Sequence, residues 1–469
     1  MTEAVRWGGP AQMGASEAVM WRAEGDLRTR SSGALLEILD SPPDWARFRA
    51  AHERAAAAIP RLRDRVVLPL LPVVAPTWAP DRHFELDYHV QRLRVAEPGS
   101  MRDVLDLAGQ LCSRTLDTNR PQWEAFLIEG MADGRAAYLL KLHHALSDGL
   151  GMVQLLEMAH STTKAPGGNR LADYPETESS TDVNPWSVLV NRLTEEITGA
   201  PGRLAGAART GLDLVGRTAR DPFGTVRRGV DYGLSLRRML DPPRADRSPL
   251  LNTQGVGYRL ALHDLSLAEL KAAGKAASGS VNDAYLAGVL GTFRRYHEHF
   301  GIRIEQMPMG IPISLRDSND PLGGNKFTGA RIIGPVGEAD PARRIKQVRE
   351  LILATRAEPA IGFLDLISPA LAMLPSAALT EVVGTMTKVS DVQASNIPGL
   401  GQPVYLAGSQ VEGMYPIGPR PGVAAMVTMV SYDGTCCIGV NFDPEAITDL
   451  PVFERCLREG FEEVLAVGH

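Results

Sequence analysis

Ala136-Ala137-Tyr138-Leu139-Leu140-Lys141-Leu142-His143-His144-Ala145-Leu146-Ser147-Asp148-Gly149 is an apolar run that ends in two histidines, three residues and an Asp-Gly pair. A short apolar run of this kind suits a buried strand. Upstream, Trp123–Met131 is a second such run, and Ala132-Asp133-Gly134-Arg135 lies between the two. Asp-Gly accepts the positive φ angles of a tight hairpin. The pattern therefore predicts a hairpin whose returning strand, Ala136–Leu142, delivers both histidines at its end. After Gly149, Leu150, Val153, Leu156 and Met158 recur at roughly helical spacing.

Histidine is the side chain whose ordinary pKa lets it take and return a proton near neutral pH. A general base needs one free imidazole nitrogen and the other held by a hydrogen bond. Neighbouring side chains on extended backbone point to opposite faces, so His143 and His144 do different jobs. Three readings compete. His144 is a general base that activates a hydroxyl or amine for attack on an acyl group; or His143, His144 and Asp148 hold a metal; or the pair is structural. Adjacent histidines diverge and no His-Glu-x-x-His pattern supplies a third ligand, which disfavours the metal. No Gly-x-Ser-x-Gly elbow supports a serine triad. Asp148 is expected to brace the loop by pairing with an arginine, and Gly149 to allow a tight turn beside a ligand.

The bulk composition sets the frame. The chain has 469 residues, 44% hydrophobic and 22% charged, with a formal charge of −6. That is ordinary for a globular protein of two or three domains, and it argues against nucleic acid as a partner. Four cysteines, Cys112, Cys436, Cys437 and Cys456, are too few for a disulfide framework and lack zinc-site spacing. They read as buried free thiols in a reducing, cytoplasmic compartment. The N-terminus has no apolar signal core. The runs Val66–Pro76 and Leu366–Thr380 are too short to span a bilayer; the second reads as core packing, with a lipid-entrance lining as the alternative.

Further signals organise the rest. Ala34–Leu39 is a strand candidate, and Asp44 caps a helix carrying Phe48, Ala51, Ala55 and Ile59. Residues 161–189 form a Pro, Gly, Ser and Thr-rich linker. Between Arg203 and Arg238, eight arginines face three aspartates, a net +5; this is a solvated helix face or a basic surface for anionic lipid or phosphate. Ser280 introduces a helix over Val281–Tyr296. Ala424–Val430 and Thr435–Phe442 flank a second Asp-Gly turn at Asp433-Gly434. The expected division is an N-terminal half over 1–180, a connector over 181–245 and a C-terminal half over 246–469.

His143-His144-Ala145-Leu146-Ser147-Asp148-Gly149 resembles the HHxxxDG signature of the coenzyme A-dependent acyltransferase superfamily, which includes chloramphenicol acetyltransferase and peptide-synthetase condensation domains. Other segments select a branch. Leu116-Asp117-Thr118-Asn119-Arg120-Pro121-Gln122-Trp123-Glu124 resembles the LDR..PLWE segment of bacterial wax ester synthase/diacylglycerol acyltransferases. Val281-Asn282-Asp283-Ala284-Tyr285-Leu286-Ala287 resembles the NDVVLA block of that family. Pro312–Arg316 with Gly324-Asn325, Ser395–Gly399 and Phe84–His89 also fit, so the likeness covers nearly the whole chain. Three departures stand out: Gln122 replaces leucine, Arg28–Ser32 replaces the usual MH.G, and Ala284-Tyr285 replace two valines.

The resemblance implies an α/β (α+β) fold of two chloramphenicol-acetyltransferase-like domains, each a mixed sheet flanked by helices, around a central tunnel. It implies transfer of a fatty acyl group from acyl-CoA to diacylglycerol, giving triacylglycerol. His144 would be the base, His143 its supporting neighbour, and Asp148, Gly149 and Asn282 structural near the site. No bound cofactor is expected; acyl-CoA is a co-substrate. A long-chain alcohol giving wax esters, another hydroxyl acceptor, or a non-catalytic lipid-binding scaffold are the alternatives. The expected surroundings are the cytoplasm, with peripheral contact to the inner membrane face or lipid droplets.

Overall fold

The computed structural model describes residues 7–71, 74–165, 183–190, 194, 235, 245–252, 255–314, 323–325, 327–359, 363–387 and 389–469. The arginine-rich connector lies outside the described residues, except for Ser235, as does Arg316. In chain order the strands are β1 (Ser32–Leu39), β2 (Asp64–Val67), β3 (Thr77–Pro80), β4 (Val90–Arg94), β5 (Trp123–Glu129), β6 (Ala136–His143), β7 (Arg259–Ser266), β8 (Met307–Ser314), β9 (Phe327–Gly334), β10 (Val392–Ile397), β11 (Tyr405–Leu406), β12 (Ser409–Ile417), β13 (Ala425–Tyr432) and β14 (Thr435–Phe442). They form two six-stranded sheets, ordered β11-β12-β1-β6-β5-β4 and β7-β14-β13-β10-β8-β9, and a small β2-β3 pair. Both large sheets are mixed: β4 runs parallel to β5, and β10 runs parallel to both β13 and β8, among otherwise antiparallel neighbours.

Local sequence explains much of this. Every residue of β6 is buried, as expected for a strand covered on both faces. The β13–β14 loop has two residues, Asp433 and Gly434, with φ of 44° and 80°, the mirror-image turn that Asp-Gly favours. The β5–β6 loop is longer, and Gly130 and Gly134 take its positive φ angles. Asp44 and Ser280 cap their helices as expected, the first accepting from Arg47 N–H and the second from Asp283 N–H. Lys141, buried inside β6, donates to the Arg114 carbonyl at 2.7 Å and faces Glu124 at 3.4 Å. Burial lowers its pKa, and without those acceptors the ammonium would be costly to keep. All four cysteines are free and buried, and burial pushes Cys112 up to about 12.

Two findings differ from the sequence reading. First, β11 and β12 come from the C-terminal part of the chain but belong to the first sheet, where β12 pairs with β1. Met414, Tyr415 and Ile417 therefore enter the first core beside Leu36 and Leu139. A division at residues 245 and 246 follows the chain but not the sheets. Second, Leu366–Thr380 is only partly core: Leu379 is fully buried, while other side chains of the segment reach the surface. It is broken into helices Phe363–Leu371 and Ser376–Thr387, which pack on helix Ala15–Ala23, and Met373 is 52% exposed. Pro375, which starts no new hydrogen-bonded turn from the first helix, stands at the break. Among the described residues, no helix is long and apolar enough to cross a membrane.

Candidate active site

β1 and β6 pair antiparallel, with Ser32 opposite His143. The register continues past the strand end, because His144 N–H donates to the Ser31 carbonyl at 2.8 Å. The two histidines point to opposite sides, as alternation requires. His143 is 1% exposed. Its Nδ1 accepts from Ala145 N–H at 3.0 Å, so the proton sits on Nε2, which faces Glu24 Oε2 at 3.3 Å. Trp21 packs edge-on to its ring at 5.2 Å. Glu24 also accepts from Ser31 N–H at 2.7 Å. His143 is thus locked into the first half as a support.

His144 turns the other way and meets the second half of the molecule. Its Nδ1 lies 3.0 Å from Asn325 Oδ1, and Asn325 Nδ2 donates to the His144 carbonyl at 2.7 Å. The Phe327 ring is 5.2 Å away. The enclosing protein disfavours the charged imidazolium and lowers the His144 pKa below 6.5, although Asn325 and Asp148 both oppose the shift. At neutral pH the ring is therefore an uncharged base with Nε2 free of the Asn325 contact.

Asp148 has a role that the sequence reading did not name. It is the N-cap of helix Gly149–Ala159, accepting from Gly151 N–H at 2.9 Å. Gly149 is also used differently from expectation. Its φ is not positive; it occupies the first helical position, where a Cβ would meet Ile397 Cδ1 at 2.6 Å. The glycine makes room for the end of β10. Asn282 is half-buried in the first turn of helix Val281–His299, and the capping box there uses Ser280 and Asp283. None of the hydrogen bonds to His144 comes from it.

What the sequence reading missed is the second partner of the motif. The loop at 323–325 docks on the loop at 144–151 through several links. Ser147 and Gly324 form a β-bridge, Asp148 N–H donates to the Gly324 carbonyl at 3.1 Å, and Gly323 N–H donates to Gln154 Oε1 at 2.8 Å. Gly324-Asn325 carried a family resemblance, but no spacing in the sequence ties it to His144. Close packing here leads to a prediction. A Cβ at Gly151 would overlap Ser147 Oγ and stand 2.9 Å from Gly323 Cα. Gly151→Ala should cost about 1–3 kcal/mol through overpacking, seen as a lower melting temperature together with reduced turnover.

Comparisons with known proteins agree with one another. A family model for the wax ester synthase/diacylglycerol acyltransferase catalytic domain matches residues 11–285, and one for the C-terminal domain of that family matches residues 323–464. A Mycobacterium tuberculosis protein named as a diacylglycerol O-acyltransferase is 40% identical over 457 residues, covering 97% of this chain and 92% of its own. A second protein of that organism with the same designation is 26% identical, covering 90% and 82%. Among solved structures, the wax ester synthase/diacylglycerol acyltransferase of Marinobacter aquaeolei VT8 superposes with a TM-score of 0.64 at 18% identity, covering 98% of this chain and all of that one. The first condensation domain of the calcium-dependent antibiotic synthetase has the same fold, with a TM-score of 0.62 at 15% identity and coverage of 100% and 98%.

Proposed function

From the premise that the chain belongs to the wax ester synthase/diacylglycerol acyltransferase family, we propose that it transfers a fatty acyl group from acyl-CoA to the hydroxyl of diacylglycerol, with His144 as general base. The observation that carries the base assignment is the Asn325 contact on Nδ1 of His144, which leaves Nε2 to accept a proton. Nε2 takes the hydroxyl proton while the oxygen attacks the thioester carbonyl. The tetrahedral intermediate then collapses, the carbon–sulfur bond breaks, and the imidazolium returns its proton to the coenzyme A thiolate. No covalent enzyme intermediate and no bound cofactor are needed. The seam between the halves, where His144 meets Asn325 and Phe327, is where the two substrates would converge from opposite sides.

Labelled palmitoyl-CoA supplied with dioleoylglycerol or with hexadecanol tests this directly. Triacylglycerol is the expected product. Wax ester alone would move the acceptor to a long-chain alcohol, and no ester from either acceptor would overturn the reading. The pH profile follows from the lowered His144 pKa: a base is active when unprotonated, so the midpoint of the acid limb of kcat/KM should lie below pH 6.5.

The substrates are lipids, and the surface offers a place to meet them. Leu68, Leu70 and Leu71 are 48–53% exposed, and Trp186 is 67% exposed. Val67 and Val74 share a buried cluster with Val188 and Leu189, so the segments that carry these exposed side chains are neighbours. Arg22 donates to the Val74 and Ala372 carbonyls, which brings exposed Met373 to the same side. An apolar surface of this kind supports peripheral contact with a membrane or lipid droplet. Leu70→Asp with Leu71→Asp should weaken co-sedimentation with lipid vesicles while acylation of a detergent-dispersed acceptor persists.

A further inference from the structure

We propose that Glu17 and Asn325 are positioning residues that act as a chain on His144, setting which of its ring nitrogens carries the proton. The inference rests on the reading of His144 as the base. Asn325 makes contacts that allow one orientation of its amide. Its Nδ2 faces the His144 carbonyl at 2.7 Å, and its Oδ1 faces His144 Nδ1 at 3.0 Å. The Glu17 carboxylate lies beside the same loop, 3.7 Å from where a Cβ on Gly324 would stand, and it interacts with the Asn325 side chain and backbone.

A carbonyl and a carboxylate are acceptors only, so both must see the amide NH2. Turning the amide over would aim its oxygen at two acceptors. With Nδ2 so committed, Oδ1 is left toward the ring, and it can only accept. The His144 proton is therefore on Nδ1, and the lone pair is on Nε2. The acid that decides this never touches the ring.

Glu17 is built for the task. It sits in the first turn of helix Ala15–Ala23, and its Oε2 also accepts from Gly14 N–H at 2.8 Å. Burial raises its pKa, while the hydrogen bonds and the positive charge of Arg61 oppose that shift. A Cβ on Gly324 would stand 3.7 Å from Glu17 Oε1, so the carboxylate lies directly beneath the docked loop. With the Gly14 N–H donating to it and the Asn325 amide beside it, glutamine is a poor replacement, because its own NH2 would face donors. The charged and titratable groups around the ring are His143 and Asp148, with Glu17 and then Arg61 reached through Asn325.

The test compares Asn325→Ala, Asn325→Asp and Glu17→Gln in the full chain, each with a melting curve. Asn325→Ala should lower kcat roughly 10²-fold and Glu17→Gln about 10-fold, with little change in KM for acyl-CoA, because orientation of the base is what is lost. Asn325→Asp is the diagnostic variant. A carboxylate against Nδ1–H keeps the tautomer but favours the imidazolium, so the acid limb of kcat/KM should move up by about one to three pH units. A merely structural role would lower the melting temperature without moving that limb. An Asn325→Asp limb at the wild-type position, or full kcat in Glu17→Gln, would overturn the inference. Full turnover in His144→Ala would instead overturn the base assignment itself.

Discussion

His144→Ala is expected to lower kcat/KM for acyl transfer by about 10²–10⁴-fold, the usual weight of a general base, equivalent to roughly 3–5.5 kcal/mol of lost transition-state stabilisation. The fold should survive. The ring is partly exposed, and its removal costs the Phe327 contact and the hydrogen bond to Asn325 Oδ1. An orphaned acceptor of that kind costs about 1–3 kcal/mol. The informative pattern is therefore a large rate loss with a modest shift in melting temperature. His143→Ala should show the reverse weighting. It would leave Ala145 N–H and the Glu24 carboxylate without the ring, and would open a cavity beside Trp21. Measuring both rates and both melting curves separates base from support. Full turnover in His144→Ala, under conditions where wild type is active, would end the mechanism.

The largest stability effect is expected at the other end of the motif helix. His160 is the C-cap of helix Gly149–Ala159 and is 3% exposed, while Glu37, in the middle of β1, is fully buried. His160 Nε2 meets Glu37 Oε2 at 2.9 Å, and Nδ1 meets the Leu156 carbonyl at 3.1 Å. Both partners are acceptors, so the ring is held as imidazolium. Burial opposes that charge, but Glu37 and the Leu156 carbonyl together outweigh it and the pKa rises above 6.5. The charge also suits a helix C-terminus. Glu37 Oε1 has no hydrogen-bond partner among the described residues. In His160→Ala the carboxylate would be buried without the imidazolium.

Breaking a buried pair from one side typically costs about 3–5 kcal/mol, which in a chain of 469 residues is a fall in melting temperature of roughly 3–5 °C. The pH dependence follows from the direction of the shift. A histidine with a raised folded pKa contributes its full stability below about pH 6.5, the unfolded value, and loses it as pH climbs through the folded value. The gap between wild type and His160→Ala should thus be widest near pH 6 and narrow on the alkaline side. A gap independent of pH would mean that packing, not the ion pair, holds this corner.

Much of the fold was legible because its signals are local. The β5–β6 hairpin, the two-residue turn at Asp433-Gly434 and the caps at Asp44 and Ser280 each depend on residues a few positions apart, and each stands where its side-chain chemistry puts it. Asp148 caps the helix that it starts, a local role in which its carboxylate accepts from the Gly151 N–H three residues on. Gly149 was read for its conformational freedom, whereas the structure uses its lack of a side chain against Ile397. The apolar composition of Leu366–Thr380 could not say whether its partner is protein or solvent. β11 and β12 crossed to the other sheet because strand pairing is chosen by what edge is open, which no stretch of chain records.

The sequence by itself determined the chemistry available: a histidine pair at a strand end, facing opposite ways, with a helix starting at Asp148. Alternation along extended backbone and the capping preference of aspartate are enough for that. Which nitrogen of His144 is left free was decided by the tertiary structure. Asn325 lies 181 residues away and reaches the ring when the two halves dock, and Glu17 orders that amide from the start of the chain. A hydrogen bond between such distant residues has no period or spacing in the sequence; it exists because two packed sheets bring three polar groups into contact in one arrangement.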